Sequence, residues 1–110
     1  AKAMYDRHGF KRESATVAFN LGRAYGEIPA LRDLDRAEDW YRQSLAAGEP
    51  SDCLGRAQCH AQLGHVALER FQDARRAGVD EPVRLRPLVQ AAWEGYQTAL
   101  ELHDALEAIG

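Results

Sequence analysis

Two cysteines and two histidines lie close together in this 110-residue chain, Cys53, Cys59, His60 and His65, and thiolate with imidazole is a donor set that holds zinc. Their spacing argues against such a site. Cys53 and Cys59, and again Cys59 and His65, stand six apart within what reads as one helix, where side chains at that separation diverge. No second Cys/His pair completes four ligands, and the same divergence disfavours an intrahelical disulfide, so both cysteines are expected as free thiols. His60 falls one turn before Gly64 on a helix-contact face and is expected as a hydrogen-bonded core histidine. Nucleophilic and acid–base chemistry finds no better footing: there is no Gly-rich phosphate loop, no HExxH and no serine elbow. The carboxylates fall on outward helix faces, where Arg23 with Glu27, Asp73 with Arg76, and Glu101 with His103 or Asp104 read as solvated surface. No catalytic residue, no metal and no cofactor is expected, and the chain does not read as an enzyme.

Composition narrows the remaining classes. Hydrophobic residues at 45% and charged residues at 28% describe an ordinary globular domain rather than a disordered tail, and the length suits a single domain. A net charge of -3 provides no basic face for a phosphate backbone; Arg75-Arg76 and Arg84/Arg86 are locally basic but flank an expected loop. No apolar run approaches the roughly 20 residues that cross a bilayer. The opening Ala1-Lys2-Ala3-Met4-Tyr5-Asp6 lacks the apolar stretch of a secretory signal. The expectation is a cytoplasmic protein with a protein or peptide partner, no nucleic acid and no membrane.

The elements follow from the 3.6-residue period. A first helix from about Ser14 to Glu27 has an inner face of Ala15, Ala18, Leu21, Gly22 and Tyr25 and ends before Pro29. A second starts near Asp35, with Asp35 and Glu38 spaced as a capping box, and runs to Ala47 before Gly48; its inner face is Ala37, Tyr41, Ser44 and Leu45. Pro50-Ser51-Asp52 offers N-caps for a long third helix reaching Gly78 through Leu63, Ala67, Phe71 and Ala74. Residues 78–87, with two prolines and a glycine, read as a loop with room for one helical turn. A fourth helix carries Leu88, Ala92, Tyr96, Ala99 and Leu100, and Gly95 within it implies a close helix contact. Trp40 and Trp93 neighbour core positions and are expected to cover the edge of the stack. Ala1 and Tyr5 repeat the spacing of Ala37 and Tyr41, and Gly9 reads as a helix stop. Residues 1–9 are therefore either the end of a preceding repeat or a frayed tail.

These elements contain an internal echo. Ala18-Phe19-Asn20-Leu21-Gly22 returns as His60-Ala61-Gln62-Leu63-Gly64, and Ala37, Tyr41, Ser44 and Leu45 return as Ala92, Tyr96, Ala99 and Leu100, in the same order. The pattern resembles the tetratricopeptide repeat, a helix–turn–helix unit of 34 residues with a Leu-Gly pair and then Tyr in helix A, and with Ala, an aromatic and Ala in helix B. It is similar also to Sel1-like repeats and to tetratricopeptide arrays of large bacterial regulatory proteins. The resemblance implies an all-α fold, a right-handed superhelix of antiparallel helix pairs. Repeat one spans about 13–48, and repeat two about 51–108 with a long inter-helix loop near 78–87. The packing residues would be Ala18, Leu21, Gly22, Tyr25, Ala37, Tyr41 and Leu45 in the first, with Leu63, Gly64, Ala67, Ala92, Tyr96, Ala99 and Leu100 in the second. The family expects 13 residues from the helix A Leu to the helix B Ala, whereas 16 separate Leu21 from Ala37 and 29 separate Leu63 from Ala92. A second register, Leu54-Gly55 with Ala67, Phe71 and Ala74, keeps the spacing of 13; the Leu63 register is preferred because it leaves one uninterrupted helix after the cap and gives the last helix a partner.

What the resemblance implies about function is a concave surface lined by the A helices. A bound peptide would meet Phe19, Asn20, Arg23 and Glu27 from the first repeat, and Gln58, Ala61, Gln62, His65 and Glu69 from the second. Members of the family that clamp a terminal carboxylate do so with Lys and Asn; here only Arg23 is cationic, with His65 beside it, so a two-carboxylate clamp is not expected. The role implied is protein–protein docking within a larger regulatory or scaffold protein. Alternatives are a purely structural spacer, a self-association module through exposed apolar ends, and a metal- or cofactor-binding helical bundle.

Overall fold

A computed structural model describes the backbone of residues 7–109 and the side-chain surroundings of residues 9–107; the expectation for residues 1–6 lies outside them. The described residues form four α-helices and no strand: α1 (Arg7–Glu27), α2 (Leu34–Ala47), α3 (Cys53–Arg76) and α4 (Pro82–Ile109), with a 3-10 turn at Pro29–Leu31. Gly9 lies inside α1 and does not stop it, a correction to the sequence reading. Glycine in a helix interior costs about 1 kcal/mol, too little to break a helix continued by good formers on either side.

Two aspartates start the middle helices. Asp33, rather than Asp35, caps α2: it has extended backbone and its carboxylate accepts from the Arg36 N–H at 3.1 Å. Asp52 caps α3 by accepting from the Gly55 N–H at 3.0 Å. Gly78, at φ 92°, closes α3 with paired bonds from Gly78 N–H to the Arg75 carbonyl and from Val79 N–H to the Ala74 carbonyl, the arrangement that only a left-handed residue permits. The α1–α2 connection is tied by the Asp33 N–H donating to the Tyr25 carbonyl at 2.8 Å.

The expected loop at 78–87 is another correction, since α4 already begins at Pro82. Pro82 takes the first helical position, where its missing N–H is no loss, and the Glu81 carbonyl accepts from the N–H groups of Arg84 and Leu85. Pro87 deprives only the Val83 carbonyl of its donor, and Val83 is 76% exposed, so water can take the place. Burial of Leu85 holds this turn to the rest of the molecule. The extra residues of the second hairpin are thus helix: α3 continues thirteen residues past Leu63 against six for α1 past Leu21, and α4 has ten residues before Ala92 against three for α2 before Ala37. Each helix gains seven residues, two turns, so the inward faces keep their rotation. α3 also runs unbroken through 54–67, where the Leu54 register needs a turn.

Packing is sequential: α1 lies against α2, α2 against α3 and α3 against α4. The radius of gyration is 16.0 Å, larger than the roughly 13 Å of a spherical chain of this length, because the helices form a layer instead of a bundle. Ala37, Tyr41 and Val66 make the buried centre, with Phe19, Tyr25, Leu34 and Leu63 packed around it. The echo has a direct counterpart in the contacts. A Cβ on Gly22 would stand 2.7 Å from the Tyr41 ring, and one on Gly64 would stand 3.3 Å from the Tyr96 ring. Tyr41 of α2 is therefore seated on Gly22 of α1, and Tyr96 of α4 on Gly64 of α3. The second hairpin closes tighter still, since a Cβ on Gly95 would stand 2.7 Å from the Gly64 Cα and the His60 carbonyl oxygen.

Ala18, Ala67, Ala92 and Ala99 are buried as expected. Leu100 is not: it is 61% exposed, because it faces away from α3 and no further element covers it. Trp93 is 63% exposed for the same reason, and Tyr96 keeps one edge open, whereas Trp40 is half-buried. Among the described residues no helix is long and apolar enough to cross a membrane.

Candidate functional site: a groove between α1 and α3

α2 is wedged between α1 and α3 and holds both by polar contacts along its length. The Ser44 hydroxyl donates to the Ala15 carbonyl at 2.7 Å on one side and accepts from the Cys59 thiol at 3.3 Å on the other. Arg70 of α3 reaches back to Glu38 and Asp35, both at 2.7 Å. Burial on its own would raise the Glu38 carboxyl, but Arg70 and Arg42 together hold it below the ordinary carboxylate range, so it stays ionised across the helix junction.

With α2 as the spacer, α1 and α3 stand apart and leave a groove of about 470 Å³. Phe19 and Leu45 give it an apolar floor, and Arg12, Arg23 and Arg56 bring three guanidinium groups to its walls. Phe19 is itself seated on Tyr41, with ring centroids 5.5 Å apart, so its ring is positioned by the core and open only toward the groove. Arg23 is paired with Glu27 at 2.9 Å, the solvated i,i+4 pair foreseen from the sequence. Such an exposed pair is worth a few tenths of a kcal/mol and is readily exchanged for a ligand carboxylate. Arg12 forms no ion pair among the described residues, and Arg56 donates to the Pro50 carbonyl at 3.3 Å.

Eight of the nine expected docking residues divide into two groups, and Ala61 stands apart. Phe19, Asn20, Arg23 and Gln58 line the groove. Glu27, Gln62, His65 and Glu69 lie beyond it: the Tyr41 hydroxyl donates to Gln62 Oε1 at 3.4 Å, His65 Nε2 stands 3.6 Å from Glu69 Oε1, and the bond from Arg23 holds the Glu27 carboxyl below its ordinary value. Burial pushes the Tyr41 phenol up to about 12, so it is a neutral donor. Glu69 Oε2 is buried without a hydrogen bond, its nearest cation Arg32 being 3.7 Å away. Ala61 is half-buried.

Arg12, Thr16, Leu54 and Arg56 also line the groove and were not foreseen from the sequence. The signal for two of them was present, because Arg12 and Thr16 continue the Phe19/Arg23 face at steps of four and three; starting the helix at Ser14 hid Arg12, while Thr16 lay inside the expected helix and its face was not followed back. Cys59 is a buried free thiol that burial pushes up, and Cys53 is also free. His60 is half-buried, and burial, then Arg56 and Arg42, holds its imidazole below the usual value. Among the described residues no group of three or more His, Cys, Asp or Glu could hold a metal ion. No family model matches the chain, and neither a curated protein nor a solved structure does.

Proposed function

We propose that this chain is a protein-interaction module built from two tetratricopeptide-like helix hairpins, whose groove between α1 and α3 docks an extended peptide. The observation that supports this most is the groove itself, an open cleft whose Phe19 floor rests on Tyr41 and whose walls carry Arg12, Arg23 and Arg56, with Glu49 and Asp52 at the same wall and Asp52 engaged in capping α3. Apolar anchor plus cationic wall suits a peptide with one large apolar side chain next to a carboxylate. The superhelical arrangement and the Leu63 register belong to the same reading, which rests on the matched Gly22/Tyr41 and Gly64/Tyr96 contacts.

The test is binding of a panel of acidic and apolar peptides to wild type and to Arg12→Glu/Arg23→Glu. Reversal of two wall charges should weaken binding by at least about tenfold, since each charge-assisted bond is worth roughly 1.5–3 kcal/mol. Unchanged affinity would favour a spacer whose groove is unused.

A further inference from the structure

Resting on the repeat reading and using a surface that shares only Asn20 with the groove, we infer that copies of this chain stack head to tail, α1 of one copy docking on α4 of the next as α3 docks on α2 within the chain.

The internal α2–α3 interface supplies the template. The echo aligns Leu21 with Leu63 and Ala37 with Ala92, so every residue of that interface has a counterpart at a free end of the molecule. The receiving face of α2, Leu34, Glu38, Tyr41 and Leu45, corresponds to Val89, Trp93, Tyr96 and Leu100 of α4. All four are exposed, at 49%, 63%, 37% and 61%. They recur at steps of four, three and four, which makes one continuous stripe. The docking face of α3, Cys59, Gln62, Val66 and Arg70, corresponds to Val17, Asn20, Ala24 and Ile28. Val17 and Ile28 are 53% and 46% exposed.

The two faces match each other in chemistry, pair by pair. Gln62 with the Tyr41 hydroxyl becomes Asn20 with Tyr96, an amide–phenol pair in both cases. Cys59 with Ser44 becomes Val17 with Ala99, and the ion pair of Arg70 with Glu38 becomes Ile28 with Trp93. The remaining contact across the internal interface, Arg70 with Asp35 at 2.7 Å, becomes Ile28 with Gln90, the one mixed pair of the four. None of the four leaves a charge against an apolar neighbour. The stacking α4 also finds a cleft to enter, since Phe10, Val17 and Leu21 of α1 and Trp40 of α2 line a second, mostly apolar groove of about 470 Å³ on that end. A contact between two different faces leaves one face of each kind unfilled in a dimer, so stacking continues beyond it.

Sedimentation across a concentration series tests this, with Val17→Glu and Trp93→Glu. Wild type should increase in mass past the dimer without a plateau. Each variant alone should weaken association by at least about tenfold, because the carboxylate would be buried against apolar partners. Mixed in equal amounts they should form a one-to-one complex and nothing larger: the Val17→Glu copy keeps its α4 face, the Trp93→Glu copy keeps its α1 face, and the other two faces are blocked. Both sites are exposed, so melting curves should match wild type. A wild type that stays monomeric throughout, a plateau at the dimer, or variants that associate as wild type does would overturn the inference. Arg12→Glu should leave stacking unchanged, which separates this result from that of peptide docking in the groove.

Discussion

A methyl group at Gly95 has nowhere to go: it would stand 2.7 Å from the Gly64 backbone and from the His60 carbonyl oxygen, none of which can rotate aside. Alanine is the better helix former by about 1 kcal/mol. Overpacking at a backbone-to-backbone crossing costs about 1–3 kcal/mol, so Gly95→Ala should lower stability in a denaturant titration despite that gain. Tyr41→Phe should cost less, about 0.5–1.5 kcal/mol, because it removes only the 3.4 Å bond to Gln62 and keeps the ring seated on Gly22. His60 gives a pH signature. Its folded value lies below the ordinary 6.5, so the unfolded chain binds the proton more readily and stability should fall as pH drops below 6.5. Chemical denaturation at several pH values should show that slope, and His60→Gln should flatten it; Glu38, whose folded value is depressed, contributes loss only below 4.5.

At the scale of elements, the caps and the α2–α3 junction carry the predictions. Asp33→Ala should cost about 1 kcal/mol in thermal melts, as the loss of an N-cap does, and more than Asp35→Ala, whose side chain is 90% exposed. Arg70→Met should cost about 1–3 kcal/mol, because Glu38 would lose its cross-helix partner while staying mostly covered. The four helices, their inward faces and the closing glycines at 48 and 78 were legible because apolar spacing and terminators agreed there. The start of α4 was not. Prolines at 82 and 87 read as breakers, yet one sits where a helix tolerates proline, and burial of Leu85 offsets the other, a tertiary effect that no local pattern displays. Gly9 misled for the opposite reason, a weak local penalty mistaken for a stop. Four of the nine docking residues were placed in the groove, and Arg12 was lost with the first turns of α1.

The described residues form a layer whose middle is covered and whose outer helices α1 and α4 expose apolar side chains. Ala37 and Tyr41 at its centre are almost wholly covered, while Trp93 and Leu100 at one end and Phe10 and Val17 at the other lie open. That gradient is what stacked units produce, each completing its neighbour's core. The groove between α1 and α3 shares only Asn20 with the α1 end, so variants at Arg12 and at Trp93 would separate docking from stacking. Amide chemical-shift mapping, with acidic–apolar peptides titrated into the labelled chain, addresses docking most directly. The account predicts saturable shifts at Phe19, Asn20, Arg23 and Gln58, lost in Arg12→Glu/Arg23→Glu. Saturable shifts confined to the Val89–Leu100 stripe, or no saturation with any peptide, would contradict it.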